Sequence, residues 1–134
     1  MERRPRLIPA LARLAVGGAV GLACLVVLVA ALTPNLIFFD DDVLDFVVRK
    51  LGHLVAYFGI AFGASVAIGA NLPRRQTVWL VLIGATGLAV LDEVVQLDVA
   101  GRLSSPLDVV LDLVGAVGGI VAWVRFDRWR AGGA

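Results

Sequence analysis

Residues 77–97 read TVWLVLIGATGLAVLDEVVQL. Fifteen uncharged residues, Thr77 to Leu91, lead to Asp92, Glu93 and Gln96, and Arg74 and Arg75 stand just ahead of them. A helix of this length rises about 1.5 Å per residue to about 31 Å, the thickness of a bilayer's hydrocarbon core. The stretch therefore predicts a membrane-spanning helix with bases outside one end and acids inside the other. A charge within hydrocarbon costs at least ~2.5–3.5 kcal/mol, so Asp92 and Glu93 count as functional until a structural role is found.

Three more apolar runs flank this one, and the spans are expected at about 12–32, 51–70, 77–97 and 106–124. The chain has 134 residues, 60% of them hydrophobic, with mean hydropathy +0.92. One all-α, polytopic membrane domain of four spanning helices accounts for it, with little chain left for a soluble domain. Thr33-Pro34-Asn35 ends the first span. A signal peptide is the rival reading there, but such cores run about 7–15 residues and this run is longer, so an uncleaved helix is expected. Before the second span, Asp40, Asp41 and Asp42 precede a mixed stretch closing on Arg49 and Lys50, which predicts a short interfacial helix. The single cysteine, Cys24, rules out an intrachain disulfide.

Direction follows from the arginines. Nine of the twelve basic residues lie at the N-terminus (Arg3, Arg4, Arg6, Arg13), in the second loop (Arg74, Arg75) or at the C-terminus (Arg125, Arg128, Arg130). Nine of the eleven acids fall on the opposite side. The positive-inside rule makes the arginine side cytoplasmic, so both termini are expected inside. Nucleic acid is not an expected partner, because the bases flank the membrane.

Counting 1.5 Å per residue from the cytoplasmic arginines places Glu93 at about 27 Å, His53 at about 31 Å and Asp112 at about 20 Å. All three belong to the outer leaflet or its boundary. Helical spacing groups them further: Lys50, His53 and Tyr57 make one stripe, Gln96 can lie beside Asp92 or Glu93, and Asp108 and Asp112 share a face. In lipid these faces must turn inward. Gly59, Gly63 and Ala67, Gly115 and Gly119, and Gly17 and Gly21 form small-residue ridges that let helices approach closely.

Three blocks now invite comparison: Lys50-Leu-Gly-His53-Leu-Val-Ala-Tyr57, Asp92-Glu93-Val-Val-Gln96, and Gly101-Arg102-Leu-Ser-Ser-Pro-Leu-Asp108 running on to Gly115. In this order the chain resembles the VanZ-like family, small bacterial membrane proteins named after a teicoplanin-resistance accessory protein. The resemblance covers roughly Val47 to Trp123. Two positions depart from the family pattern. Arg49 stands where an acid often precedes the lysine, and Asp112 stands where asparagine is common. The resemblance implies a place in the bacterial cell membrane and a role at the envelope connected with glycopeptide tolerance.

Each polar residue has a chemical and a structural reading. His53 titrates near working pH and could be a general base or metal ligand, or could tie helices together through Glu93 or Asp108. Glu93 is the foremost catalytic candidate, because desolvation makes a carboxylate a better base; its structural alternative is an ion pair with Arg102 or Lys50. Asp92 is adjacent to it, and only one of the two need face the cluster. Arg102 suits a phosphate or carboxylate, or clamps Asp108. Asp108 also fits a cap, with Ser105 at N-cap and Pro106 at N1. Asp112 is too deep for a cap and should pair with His53, Lys50 or Arg102. Lys50 is expected to snorkel outward, with phosphate contact second.

His53, Glu93 and Asp108 are thus the catalytic candidates, and Lys50, Tyr57, Asp92, Gln96, Arg102 and Asp112 the substrate-binding ones. His53, Glu93 and Asp108 make a poor zinc set, with one histidine and no nearby cysteine, so neither a metal nor another cofactor is assigned. The expected partners are membrane lipids and an anionic lipid-linked envelope precursor or glycopeptide-related ligand. As an enzyme the chain would be a hydrolase or transferase at the outer leaflet. The alternative is a small carrier for an anionic lipid or proton-coupled solute, although carrier sites usually lie nearer the midplane. A third reading makes the charges a structural network. Four helices enclose little volume, which is compatible with a homo-oligomer.

Overall fold

The computed structural model describes residues 10–32, 42–97 and 106–132. Four helices occupy them: α1 (Ala10–Leu32), α2 (Asp42–Gly69), α3 (Arg74–Leu97) and α4 (Pro106–Gly132). The expected all-α architecture holds. α2, α3 and α4 are each long and apolar enough to cross a membrane, and α1 carries a shorter apolar stretch, Leu14–Val27.

The short interfacial helix expected to lead into the second span is continuous with it. Asp42 to Lys50 belongs to the same helix as the span, adding more than two turns to it. Two features of the sequence allow this: acids occupy its first turn, and Asp45 and Arg49, four residues apart, form an ion pair along the helix. α3 starts three residues earlier than expected, at Arg74, and α4 runs on past Arg125, Arg128 and Arg130. At about 1.5 Å per residue α2 reaches about 42 Å, so its ends stand beyond a hydrocarbon core. Pro73 bounds the turn between α2 and α3, where the amides of Asn71 and Leu72 both donate to the Ile68 carbonyl at 3.0 and 3.1 Å.

The packing is that of a membrane bundle. Its interior is built from small side chains, Ala61, Ala85, Ala89 and Ala116 around Tyr57, Val81 and Ile120. Large apolar residues such as Leu51, Val55, Leu80, Ile83 and Val114 face outward. Two aliphatic hydroxyls within the spans are satisfied along their own helices: Ser65 donates to the Ala61 carbonyl at 2.7 Å and Thr86 to that of Leu82 at 2.8 Å.

Contacts across the bundle fix directions. Lys50 meets Asp108, His53 meets Asp112, and Gly69 packs on Trp123, so α2 and α4 run parallel. α3 runs against them, bringing Arg74 to Asp127. α1 lays Val20 and Val16 on Gly63 of α2. Of the glycine ridges, the one on α4 makes the close approach: Gly115 and Gly119 lie on the α2 backbone at Leu54, Phe58 and Phe62. The expected ridges on the other two helices are not used in that way. A Cβ at Gly59, Gly17 or Gly21 would meet no neighbour within 4 Å among the described residues, and Gly63 receives valine side chains. The α2 surface under the α4 glycines is backbone between larger residues, so a single smooth ridge suffices.

Candidate functional site

The buried face of α3 runs Thr77, Val81, Ala85, Ala89, Asp92, Gln96, one residue each turn. Asp92 is therefore carried into the bundle by the same stripe as the core alanines, and only 3% of it is exposed. Gln96, one turn on, donates through Nε2 to Asp92 Oδ2 at 3.0 Å. Glu93 sits about 100° round the helix and is half-buried. It remains close enough to act electrostatically on Asp112.

The corresponding stripe on α4 is Asp108, Asp112, Gly115, Gly119 and Trp123, all buried. On α2, Lys50 and His53 are half-buried and Tyr57 is fully buried. The parallel register of these helices sets two cross-links. Lys50 Nζ donates to Asp108 Oδ1. His53 Nδ1 lies 2.9 Å from Asp112 Oδ1, where the ring nitrogen is the donor to a carboxylate. Lys50 turns inward to this acid, with its ammonium also 5.1 Å from the Phe46 ring centroid.

Seven of the nine expected residues thus come together at one end of the bundle: Lys50, His53, Tyr57, Asp92, Gln96, Asp108 and Asp112. Glu93 stands at their edge. Arg102, and Ser105 as the N-cap of α4, lie outside the described residues; α4 does begin at Pro106. Asp108 occupies the first turn of α4 and pairs with Lys50. Asp112 chooses His53 among the partners open to it.

One residue of this end escaped the sequence reading. Asp45 is buried, 6% exposed, against Arg49. Their separation of four within a helix-compatible stretch was the available signal.

The donors that converge most tightly differ from the set considered from sequence. One ligand atom each from His53, Asp92 and Asp112 lies within 4.8 Å of the others, contributed by three helices. Tyr57 points its hydroxyl into the same place. It is 0% exposed and makes no hydrogen bond of good geometry among the described residues, although Asp112 lies near enough to interact with it and Asp92 also acts on it electrostatically. The side chains of Lys50 and His53 keep 19% and 21% of their surface open, so the end of the bundle gives access.

A sequence profile of the VanZ/LLP1 family matches residues 24–127. The chain belongs to that family. The match includes α2 and α3 whole, most of α4, and every residue of the polar cluster. No curated protein and no solved structure matches the chain.

Proposed function

We propose that this VanZ-family membrane protein binds or modifies an anionic lipid-linked molecule of the bacterial envelope, at the extracytoplasmic end of its helix bundle. The observation that carries the reading is the gathering of Lys50, His53, Asp92, Asp108 and Asp112 from three helices at one partly open end. Isolated charges in a bilayer are costly, and a structural network of this kind would serve as well fully closed. The arginine asymmetry turns this end outward and both termini inward.

In this reading Lys50 exchanges its internal partner, Asp108, for a phosphate or carboxylate of the ligand, with Arg102 as a second cation from the loop. Asp112 holds the His53 ring through Nδ1 and leaves the other nitrogen to take or give a proton. Displaced from Lys50, Asp108 becomes a carboxylate close to the ligand, and Glu93 stands at the rim as a further base. A hydrolase or transferase step at the outer leaflet follows from that set, and altered glycopeptide tolerance would be its consequence in the cell.

Mass spectrometry of envelope lipids tests this, using a deletion strain restored with wild type, His53→Asn or Glu93→Gln. The expected result is a lipid species whose mass or abundance returns with wild type and not with either variant, at equal amounts of inserted protein. Lipids and glycopeptide sensitivity that are the same in all four strains would overturn the reading.

A further inference from the structure

We propose that His53, Asp92 and Asp112 form a divalent-cation site of the zinc or manganese class where α2, α3 and α4 meet. The argument rests on donor geometry and stands apart from the lipid reading. Ligand bonds to such ions are about 2.1 Å, so donors at right angles lie about 3.0 Å apart and opposite donors about 4.2 Å apart. His53 Nδ1 and Asp112 Oδ1, at 2.9 Å, already have the first spacing. All three donors fall within 4.8 Å, so the widest pair must close by up to about 0.6 Å if opposite across an octahedral ion, or up to about 1.4 Å around a tetrahedral one, whose donors lie about 3.4 Å apart. One imidazole with two carboxylates suits a borderline or hard divalent ion, and not a soft one.

A second observation points to the same place. The Tyr57 hydroxyl is fully buried and has no hydrogen bond of good geometry among the described residues, with Asp112 close enough to interact with it. Asp112 and Asp92 are the acids acting on it. A water on the ion, in a coordination position the three side chains leave open, gives this hydroxyl its partner. Gln96 already orients Asp92, as outer-shell amides do for ligating carboxylates. The part-open His53 gives an ion a way in.

The chain has one histidine, which makes the test direct. Full-length protein carrying a histidine-free affinity tag is purified in detergent, stripped with a chelator and titrated with Zn²⁺ or Mn²⁺ alone. Metal content is read by elemental mass spectrometry, and the single ¹⁵N-labelled imidazole by NMR with Zn²⁺. One ion per chain and a shift of the His53 ring nitrogens are expected. Asp92→Asn and Asp112→Asn should each weaken binding at least about 100-fold, and Gln96→Leu about 10- to 100-fold. Wild-type protein that takes up no stoichiometric ion, or an imidazole signal that Zn²⁺ leaves unmoved, would overturn the proposal without recourse to any variant. Because the readout is binding by purified protein, its failure leaves the cellular lipid experiment untouched, and the converse also holds.

Discussion

Gly119→Ala adds one methyl group, and the structure makes it expensive. Its Cβ would sit 2.9 Å from the Phe62 amide nitrogen and 3.2 Å from Ala61 Cβ, with the Phe58 carbonyl oxygen nearer still. Ordinary contact begins near 3.4 Å, so the helices must part by at least the 0.5 Å separating 3.4 from 2.9. Clearing the Phe58 oxygen raises that to on the order of 1 Å, because the obstruction is backbone and cannot rotate away. Overpacking of this kind costs about 1–3 kcal/mol. The same parting, carried along α4 to Asp112, would stretch its 2.9 Å contact with His53 past hydrogen-bonding range. Gly59→Ala is the control: no neighbour lies within 4 Å, and alanine's better helix propensity makes it neutral or stabilising by up to about 1 kcal/mol. Reversible unfolding in mixed micelles, followed by circular dichroism, measures both. Gly119→Ala within about 0.5 kcal/mol of wild type, or Gly59→Ala equally damaging, would refute the backbone contact between α2 and α4.

Three other outcomes are expected. Lys50→Met should destabilise by about 3 kcal/mol, because it strands the buried Asp108, and Lys50→Met/Asp108→Leu should recover most of that in the same unfolding assay. Asp127→Asn, which breaks the exposed contact to Arg74 at 3.0 Å, should cost less than about 1 kcal/mol, as surface pairs do. In a Cys24→Ser background, Asp42→Cys should react with a membrane-impermeant maleimide in intact cells. Arg130→Cys should react only after permeabilisation; the reverse pattern would invert the proposed topology.

The spans were legible because hydropathy and proline turns report directly on what lipid tolerates. The start of α2 was not. Asp42, Asp45, Arg49 and Lys50 break the apolar run, and that run measures fitness for hydrocarbon, not helix continuity. The helix continues into the polar layer because Asp45 and Arg49 pair along it. The gathering at one end was readable from depth and spacing, but the choice between the adjacent acids on α3 stays open there with Glu93 ranked first, and the structure turns Asp92 inward instead. Thr77, Ala85 and Ala89 define a small-residue face that Asp92 and Gln96 extend, while Glu93 departs from it. Which acid meets which base was not readable. That depends on the parallel register of α2 against α4, set by glycines distant in sequence from Lys50 and His53.

Those glycines bear on the chemistry more than a packing ridge usually does. Asp108 and Asp112 lie on the same stripe of α4 as Gly115 and Gly119, seven and three residues before Gly115. An aspartate carries its carboxylate one methylene from the backbone and has little reach. It can bridge to His53, whose ring is itself short, only where the two backbones run close. Backbone contact at Leu54, next to His53, and at Phe58, between one and two turns on, supplies that closeness. A chain with larger residues at 115 and 119 would hold α4 farther out, and Asp112 would then face His53 across a gap fit for water. The short polar side chains at one end of the bundle and the glycines at its middle are therefore one device. Substitutions at Gly115 or Gly119 should impair ligand or metal binding in proportion to the separation they impose, even where the protein still folds.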